Sequence, residues 1–283
     1  MGEVQVGVLM IRKGLPTDVE FCYNLTVIEG WGYTEREIHI MAANSGTIFY
    51  IAEERGERQG MAASFQYGDT AWIGLVIVSK EYRGQGVGTN LMKEALRTLE
   101  LSGVTTVRLE AVPEAVSLYK TLGFTPEFDS LRLRGEFDAK GIGKSTSDAL
   151  EKLSELSEFD SHYFGVNRKE YLEGFITLSS VQLTENRDCL KGYLLGRTLA
   201  PHQHKIGPCV CEDSGTFESL LTHALSQVEG SISVGVPACN REGVSLYEQY
   251  GFSITGSSLR MVRGKGFAGI PEHVYAIGGP EKG

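Results

Sequence analysis

The sequence predicts an α/β protein built as two similar units in tandem, each a mixed central sheet flanked by helices. Three observations carry that prediction. An apolar stretch, residues 72–78, runs into a glycine-rich turn and then into a helical pattern, which makes one strand–helix crossover. A block of the first half recurs in the second at a constant spacing. Finally, 283 residues are long enough for one large domain or two of ordinary size, and 41% hydrophobic with 22% charged content gives ample material for a core.

Taken in order, residues 4–12 alternate (Val4, Val6, Val8, Met10, Arg12) as a first strand. Pro16-Thr17-Asp18 opens a helix, with Val19, Cys22, Tyr23 and Thr26 at helical spacing. A loop from Glu29 to Thr34 follows, and Thr34 with Glu37 reads as a capping box for a second helix. Residues 47–52 form a strand, Arg55-Gly56-Glu57-Arg58 a hairpin turn, and residues 60–65 its partner. Residues 72–78 lack alternation, as a strand buried on both faces would. Leu91, Met92, Ala95, Leu96 and Leu99 then recur at three- and four-residue steps along a helix that Gly103 ends. Residues 104–111 are the next strand. Pro113 starts a short helix through Tyr119, closed by Gly123-Phe124.

Residues 137–147, rich in Gly, Lys and Ser, are the expected linker, giving domains of 1–136 and 148–283. A helix capped by Ser147-Asp148 and an amphipathic helix at 168–176 should follow. The repeat confirms the tandem plan: Val116-Ser117-Leu118-Tyr119, Gly123-Phe124 and Ser130-Leu131-Arg132 return as Val244-Ser245-Leu246-Tyr247, Gly251-Phe252 and Ser258-Leu259-Arg260, each 128 positions on.

A net charge of −9 argues against a nucleic-acid face and suits a cationic substrate. No apolar run approaches membrane-spanning length, the N-terminus does not read as a signal peptide, and five scattered cysteines read as reduced thiols. The expectation is a cytoplasmic protein without nucleic-acid or membrane partners. His202-x-His204 and Cys209-x-Cys211 match no standard zinc spacing, so no metal is expected.

The chemistry points to Arg83-Gly84-Gln85-Gly86-Val87-Gly88 at the end of the apolar strand. A helix N-terminus offers unpaired N–H groups and a positive dipole end, glycines let a phosphate approach, and Arg83 adds a permanent charge. A dinucleotide fingerprint fails at its third glycine, where Thr89 stands, and a P-loop ending in Gly143-Lys144-Ser145 lacks its first glycine at Asp138. What fits is Arg-x-x-Gly-x-Gly after a strand.

That pattern resembles the acetyl-CoA pyrophosphate loop of the GCN5-related N-acetyltransferase (GNAT) superfamily, and Leu118-Tyr119…Gly123-Phe124 resembles its helix ending. Trp31, Asp160…Phe164-Gly165…Arg168, Ile206-Gly207-Pro208 and Val274-Tyr275-Ala276 make the whole chain similar to a tandem-GNAT, YitH-like subfamily whose second domain is degenerate. In that second copy, Glu212-Asp213-Ser214-Gly215 replaces the loop, without arginine or glycine series. The resemblance implies two acyl-CoA N-acyltransferase folds, with acetyl-CoA held by Ile77, Val78, Arg83, Gly84, Gln85, Gly86, Val87, Gly88 and Thr89 as co-substrate. It implies transfer to a primary amine of a small molecule or lysine-type acceptor by direct attack. Tyr119 matches the tyrosine that protonates the departing thiolate; Val112 stands where an asparagine is common. Glu110 and Glu29 are candidate bases, with Glu29 and Trp31 on the acceptor side. The alternative is a CoA-binding regulator that moves no acetyl group.

Overall fold

The computed structural model describes residues 8–138, 149–186, 189–266 and 269–283. The expected linker lies almost wholly outside these residues, as do the Ser147-Asp148 cap and residues 4–7 of the first strand. By contacts the chain divides into two compact units, Met1–Val107 and Arg108–Gly283.

The first unit holds β1 (Met10–Lys13), α1 (Val19–Ile28), α2 (Glu35–Ala43), β2 (Thr47–Glu54), β3 (Glu57–Tyr67), β4 (Thr70–Val78) and α3 (Val87–Leu101). Its four strands form an antiparallel meander, with Ile11 opposite Ala52, Ile51 opposite Met61, and Phe65 opposite Trp72. The β2–β3 turn is Arg55-Gly56, both residues at positive φ (53° and 82°), the twist that matches a tight hairpin. The Thr34 box forms as the sequence predicts: Glu37 N donates to Thr34 Oγ1 at 3.2 Å, and Thr34 N donates to Glu37 Oε2 at 2.7 Å. Asp18 ends a 3₁₀ turn before α1 and accepts from Leu15 N and from Arg12 and Arg58. α3 lies over β2, β3 and β4, burying Val87, Leu91, Met92, Ala95, Leu96 and Leu99 on one face. Trp72, Tyr50, Phe65, Ile51 and Met61 fill the centre.

β5 (Thr106–Ala111) contains the division between the units. The second unit continues with α4 (Val116–Thr121), β6 (Thr125–Phe137), α5 (Leu153–Phe164), α6 (Lys169–Leu178), β7 (Val181–Asn186), β8 (Leu190–Ala200), β9 (Gln203–Cys211), α7 (Ser214–Leu225), β10 (Gly230–Pro237), α8 (Arg241–Gln249), β11 (Ser253–Arg263) and β12 (Val274–Ala276). Its strand order is β11-β6-β10-β9-β8-β7, with β12 on β9. β9 and β10 run parallel and the other pairs antiparallel, so the sheet is mixed. Phe217 stacks on Tyr275 with ring centroids 4.3 Å apart, and Tyr247 meets Phe217 edge-on, in an apolar core under α7 and α8.

The packed division falls before the repeat boundary expected near residue 136. The physical reason is β6. This strand ends the first sequence repeat, yet it is hydrogen-bonded on one side to β10 and on the other to β11, both from the second. The register is self-equivalent: Ser130 faces Ser258, its own counterpart in the repeat, so the two Ser-Leu-Arg segments are related by a local two-fold.

The residues 160–168 singled out in the sequence form a buried ion pair. Arg168 Nε and Nη2 each donate to Asp160 at 2.9 Å, the guanidinium lies 3.5 Å from the Phe164 ring centroid, and Tyr193 Oη also donates to Asp160. Both charges are fully buried, and the bidentate geometry with its extra donor satisfies the carboxylate that burial would otherwise penalise.

Candidate active site

In the first unit, β4 leads directly to the glycine turn and α3. Its ladder slips: Met61 faces Ile77 but Ala63 faces Gly74, so Leu75 and Val76 together oppose Ala62. Leu75 sits at φ 52°, a left-handed conformation rare for a non-glycine residue, and is buried. This bulge re-aims the last residues of the strand, Ile77 and Val78, towards the turn. Beside them, a Cβ on Gly60 would meet the Ile77 carbonyl at 2.6 Å, so only glycine lets β3 lie this close.

After Val78 a 3₁₀ turn, Lys80–Tyr82, delivers Arg83. Gly84 and Gly86 adopt φ 73° and 82° with open space where their Cβ atoms would be. Glycine is required there by conformation, and the surface above both residues is left bare. Gly86 is the N-cap of α3, and the first helical bond runs from Asn90 N to Gly86 O at 3.0 Å. Helix geometry therefore leaves the Val87, Gly88 and Thr89 amides as first-turn donors. No acidic side chain occupies that turn. A Cβ at Gly88 would stand 3.6 Å from Val78 Cγ2, so α3 passes beside Val78 at ordinary contact distance. Fifteen residues of α3 align their dipoles behind this end. The residues present fit a diphosphate: bare backbone, free amides, a positive helix end and one arginine.

Arg83 is held on two sides. Its Nε donates to the Val78 carbonyl at 2.9 Å, and its Nη2 donates to Glu29 in a short ion pair. Glu29 thus meets Arg83, a partnership invisible in the sequence because 54 positions separate them. Trp31, two residues on, is 42% exposed between Gly30 and Gly32, which both take positive φ.

In the second unit, Tyr119 lies on α4 and is buried, its ring edge-on to Phe124 with centroids 6.1 Å apart. Burial pushes its phenol up to about 12, which keeps the hydroxyl protonated at neutral pH. Glu110, a candidate base from the sequence, lies near the end of β5. Its side chain is 1% exposed and accepts from Ser130 Oγ at 2.8 Å, from Ser258 Oγ, and from Arg260 Nε at 2.8 Å. A carboxylate so surrounded holds the paired serines of β6 and β11. Val112 is 53% exposed where the resemblance leads one to look for asparagine. Its repeat counterpart Asn240 caps α8, accepting from Gly243 N at 2.8 Å and donating to Val274 O.

The second copy of the loop is filled by its own side chains. Asp213 caps α7, accepting from Thr216 N at 2.7 Å, and Glu212 pairs with Lys191. The anion position at that helix end is occupied by a carboxylate of the chain itself. Cys209 and Cys211 are buried with sulfurs 3.8 Å apart, and the His204 ring engages Thr198 and the Glu229 carbonyl.

Residues 45–126 and, separately, 156–276 match family models described as Acetyltransferase (GNAT) domain. The chain is a tandem member of the GNAT superfamily. Among curated relatives, the tandem GNAT chain is 26% identical over 264 residues to the holothin acyltransferase of Pseudoalteromonas, covering 90% of this chain and 86% of that one. It is also 26% identical over 228 residues to the uncharacterized N-acetyltransferase YitH of Bacillus subtilis, covering 77% and 78%. A crystal structure of a putative acetyltransferase from Pyrococcus horikoshii superposes with a TM-score of 0.80 at 23% identity, covering 97% and 96%. A tandem GNAT protein from the clavulanic acid biosynthesis pathway superposes at 0.62 and 14%, covering 91% and 98%. At these identities the two structures speak for the fold alone.

Proposed function

We propose that this tandem GNAT protein transfers an acetyl group from acetyl-CoA to a primary amine, with the donor held by the first unit. The observation that carries the reading is the bare, positive-φ glycine turn opening onto the free N-terminus of α3. Val87, Gly88 and Thr89 amides and Arg83 would bind the diphosphate, while the Ile77–Val78 backbone pairs with the pantetheine arm. The acetyl carbonyl carbon is attacked by the neutral amine nitrogen, and the tetrahedral adduct collapses with cleavage of the C–S bond. The amine loses one proton, and the leaving thiolate gains one from Tyr119, whose raised proton affinity suits an acid rather than a base at neutral pH. The amine's proton is assigned to solvent or to Glu29 rather than to Glu110. The reading is supported by the relatives named N-acetyltransferase and acyltransferase.

Calorimetric titration of acetyl-CoA into wild type and Arg83→Glu tests it. Binding near micromolar that weakens at least about tenfold in the variant is expected, because one charge-assisted contact is replaced by repulsion. Absence of binding to the wild type overturns the enzyme reading.

A further inference from the structure

Glu29 has a second tie that sequence alone does not reveal. It is the C-cap of α1, and the last turn of that helix carries no basic residue. A carboxylate at a helix C-terminus faces the negative end of the dipole and is destabilised unless a cation stands beside it. Here that cation is Arg83, the arginine of the donor loop. Arg83 is anchored independently through Nε to Val78 O, so the guanidinium can exchange the partner on its outer edge without leaving β4. The pair is solvent-exposed on the arginine side, with 47% of that side chain accessible. Such pairs are weak, and a diphosphate with two charges outcompetes one carboxylate for the same guanidinium. The chain just beyond Glu29 is tied to the end of α1, with Gly30 N donating to Val27 O at 3.0 Å and Trp31 N to Thr26 O at 3.1 Å, and it leaves Trp31 exposed between two glycines at positive φ.

We propose that Glu29 is a charge-exchange residue: it neutralises Arg83 in the free protein, yields it to the donor's diphosphate, and then stands unpaired beside Trp31 as the anionic contact for a cationic acceptor. The inference rests on the donor reading above. It orders the reaction. Donor binding creates the negative site, and the ammonium form of the amine is drawn to Glu29 and the Trp31 face only afterwards.

Two measurements test it on the full chain. In the first, acetyl-CoA is titrated into wild type, Glu29→Gln, Arg83→Gln and the double variant. Loss of the competing carboxylate should tighten binding about two- to fivefold in Glu29→Gln, the worth of an exposed ion pair. The double variant should match Arg83→Gln alone. In the second, Trp31 emission is quenched with caesium and with iodide, using Trp31→Phe to subtract Trp72. Saturating acetyl-CoA should raise caesium quenching and lower iodide quenching in wild type, and Glu29→Gln should abolish that change of sign. If wild type binds acetyl-CoA but Glu29→Gln binds it equally or more weakly, the exchange is overturned and the donor reading stands. If Glu29→Gln tightens binding as much in the Arg83→Gln background, Glu29 repels the phosphates directly and the exchange is again overturned. If wild type binds no acetyl-CoA, both fall together.

Discussion

Tyr119 and its repeat counterpart Tyr247 stand at equivalent positions of the two copies, and both are buried. Tyr247 is completely buried in an apolar core, its hydroxyl without a hydrogen-bond partner among the described residues. Tyr119 is nearly as buried, and its phenol is pushed up to about 12 by that burial alone. In a protein that transfers acetyl groups, Tyr119→Phe should lower kcat by roughly 10²-fold while leaving the dissociation constant of acetyl-CoA unchanged, the mark of a group used only in proton transfer. Steady-state rates with a reactive amine and calorimetry on the same preparation separate the two quantities. Glu110 gives the opposite lesson. A carboxylate at a strand end invites assignment as a base, but its partners Ser130 and Arg260 lie 20 and 150 positions away, and no local pattern announces them.

At the scale of single elements, the turn between β4 and α3 was readable because its requirements are local. Glycines answer positive φ, and the three- and four-residue apolar spacing sets the buried face of α3. Gly86→Ala should therefore cost about 1 kcal/mol of stability through the left-handed backbone and weaken acetyl-CoA binding at least tenfold by shifting the first-turn amides. Chemical denaturation and calorimetry check the two effects. The bulge at Leu75 was not readable, since a leucine at φ 52° carries no compositional trace; it exists because the strands around it fix the register. The capping box of α2 and the loss of the second loop could be seen in advance, since both depend on residues adjacent in the chain. That Asp213 turns its carboxylate onto Thr216 N as the cap of α7 is visible only in the fold.

At the scale of the whole molecule, two expectations follow from burial and from strand order. Cys22, Tyr119 and the fully buried Tyr193 and Tyr247 all hold their protons more tightly in the folded state because burial disfavours the anion. A pKa raised on folding gives stability that is complete below the unfolded value and lost as pH rises through the folded one. Denaturation midpoints should thus be flat from about pH 6 to pH ~9 and fall progressively towards pH 12, beginning where Cys22 would ionise in the unfolded chain; below about pH 5 they fall as Asp18 and Glu94, whose carboxyls Arg12 and Arg97 hold low, take up protons. Strand order makes the second expectation. Residues 1–136 would expose both edges of β6 once β10 and β11 are removed, so that fragment should be insoluble or lack cooperative unfolding, whereas the intact chain melts cooperatively. The repeat in the sequence predicted two units, and the division by contacts falls after Val107, because the repeat records similarity and the sheet records pairing.

The placement of β6 also sets a clock. On a ribosome this strand emerges complete while both of its neighbours remain unsynthesised, the nearer beginning at Gly230 and the other ending at Arg263. More than ninety residues must be added before either edge can close. At the pace of translation, about 5–20 residues per second, β6 waits several seconds with both edges open. Nascent chains should therefore acquire their second unit only after β11 has left the exit tunnel, and cells short of chaperones should lose this protein before it is finished.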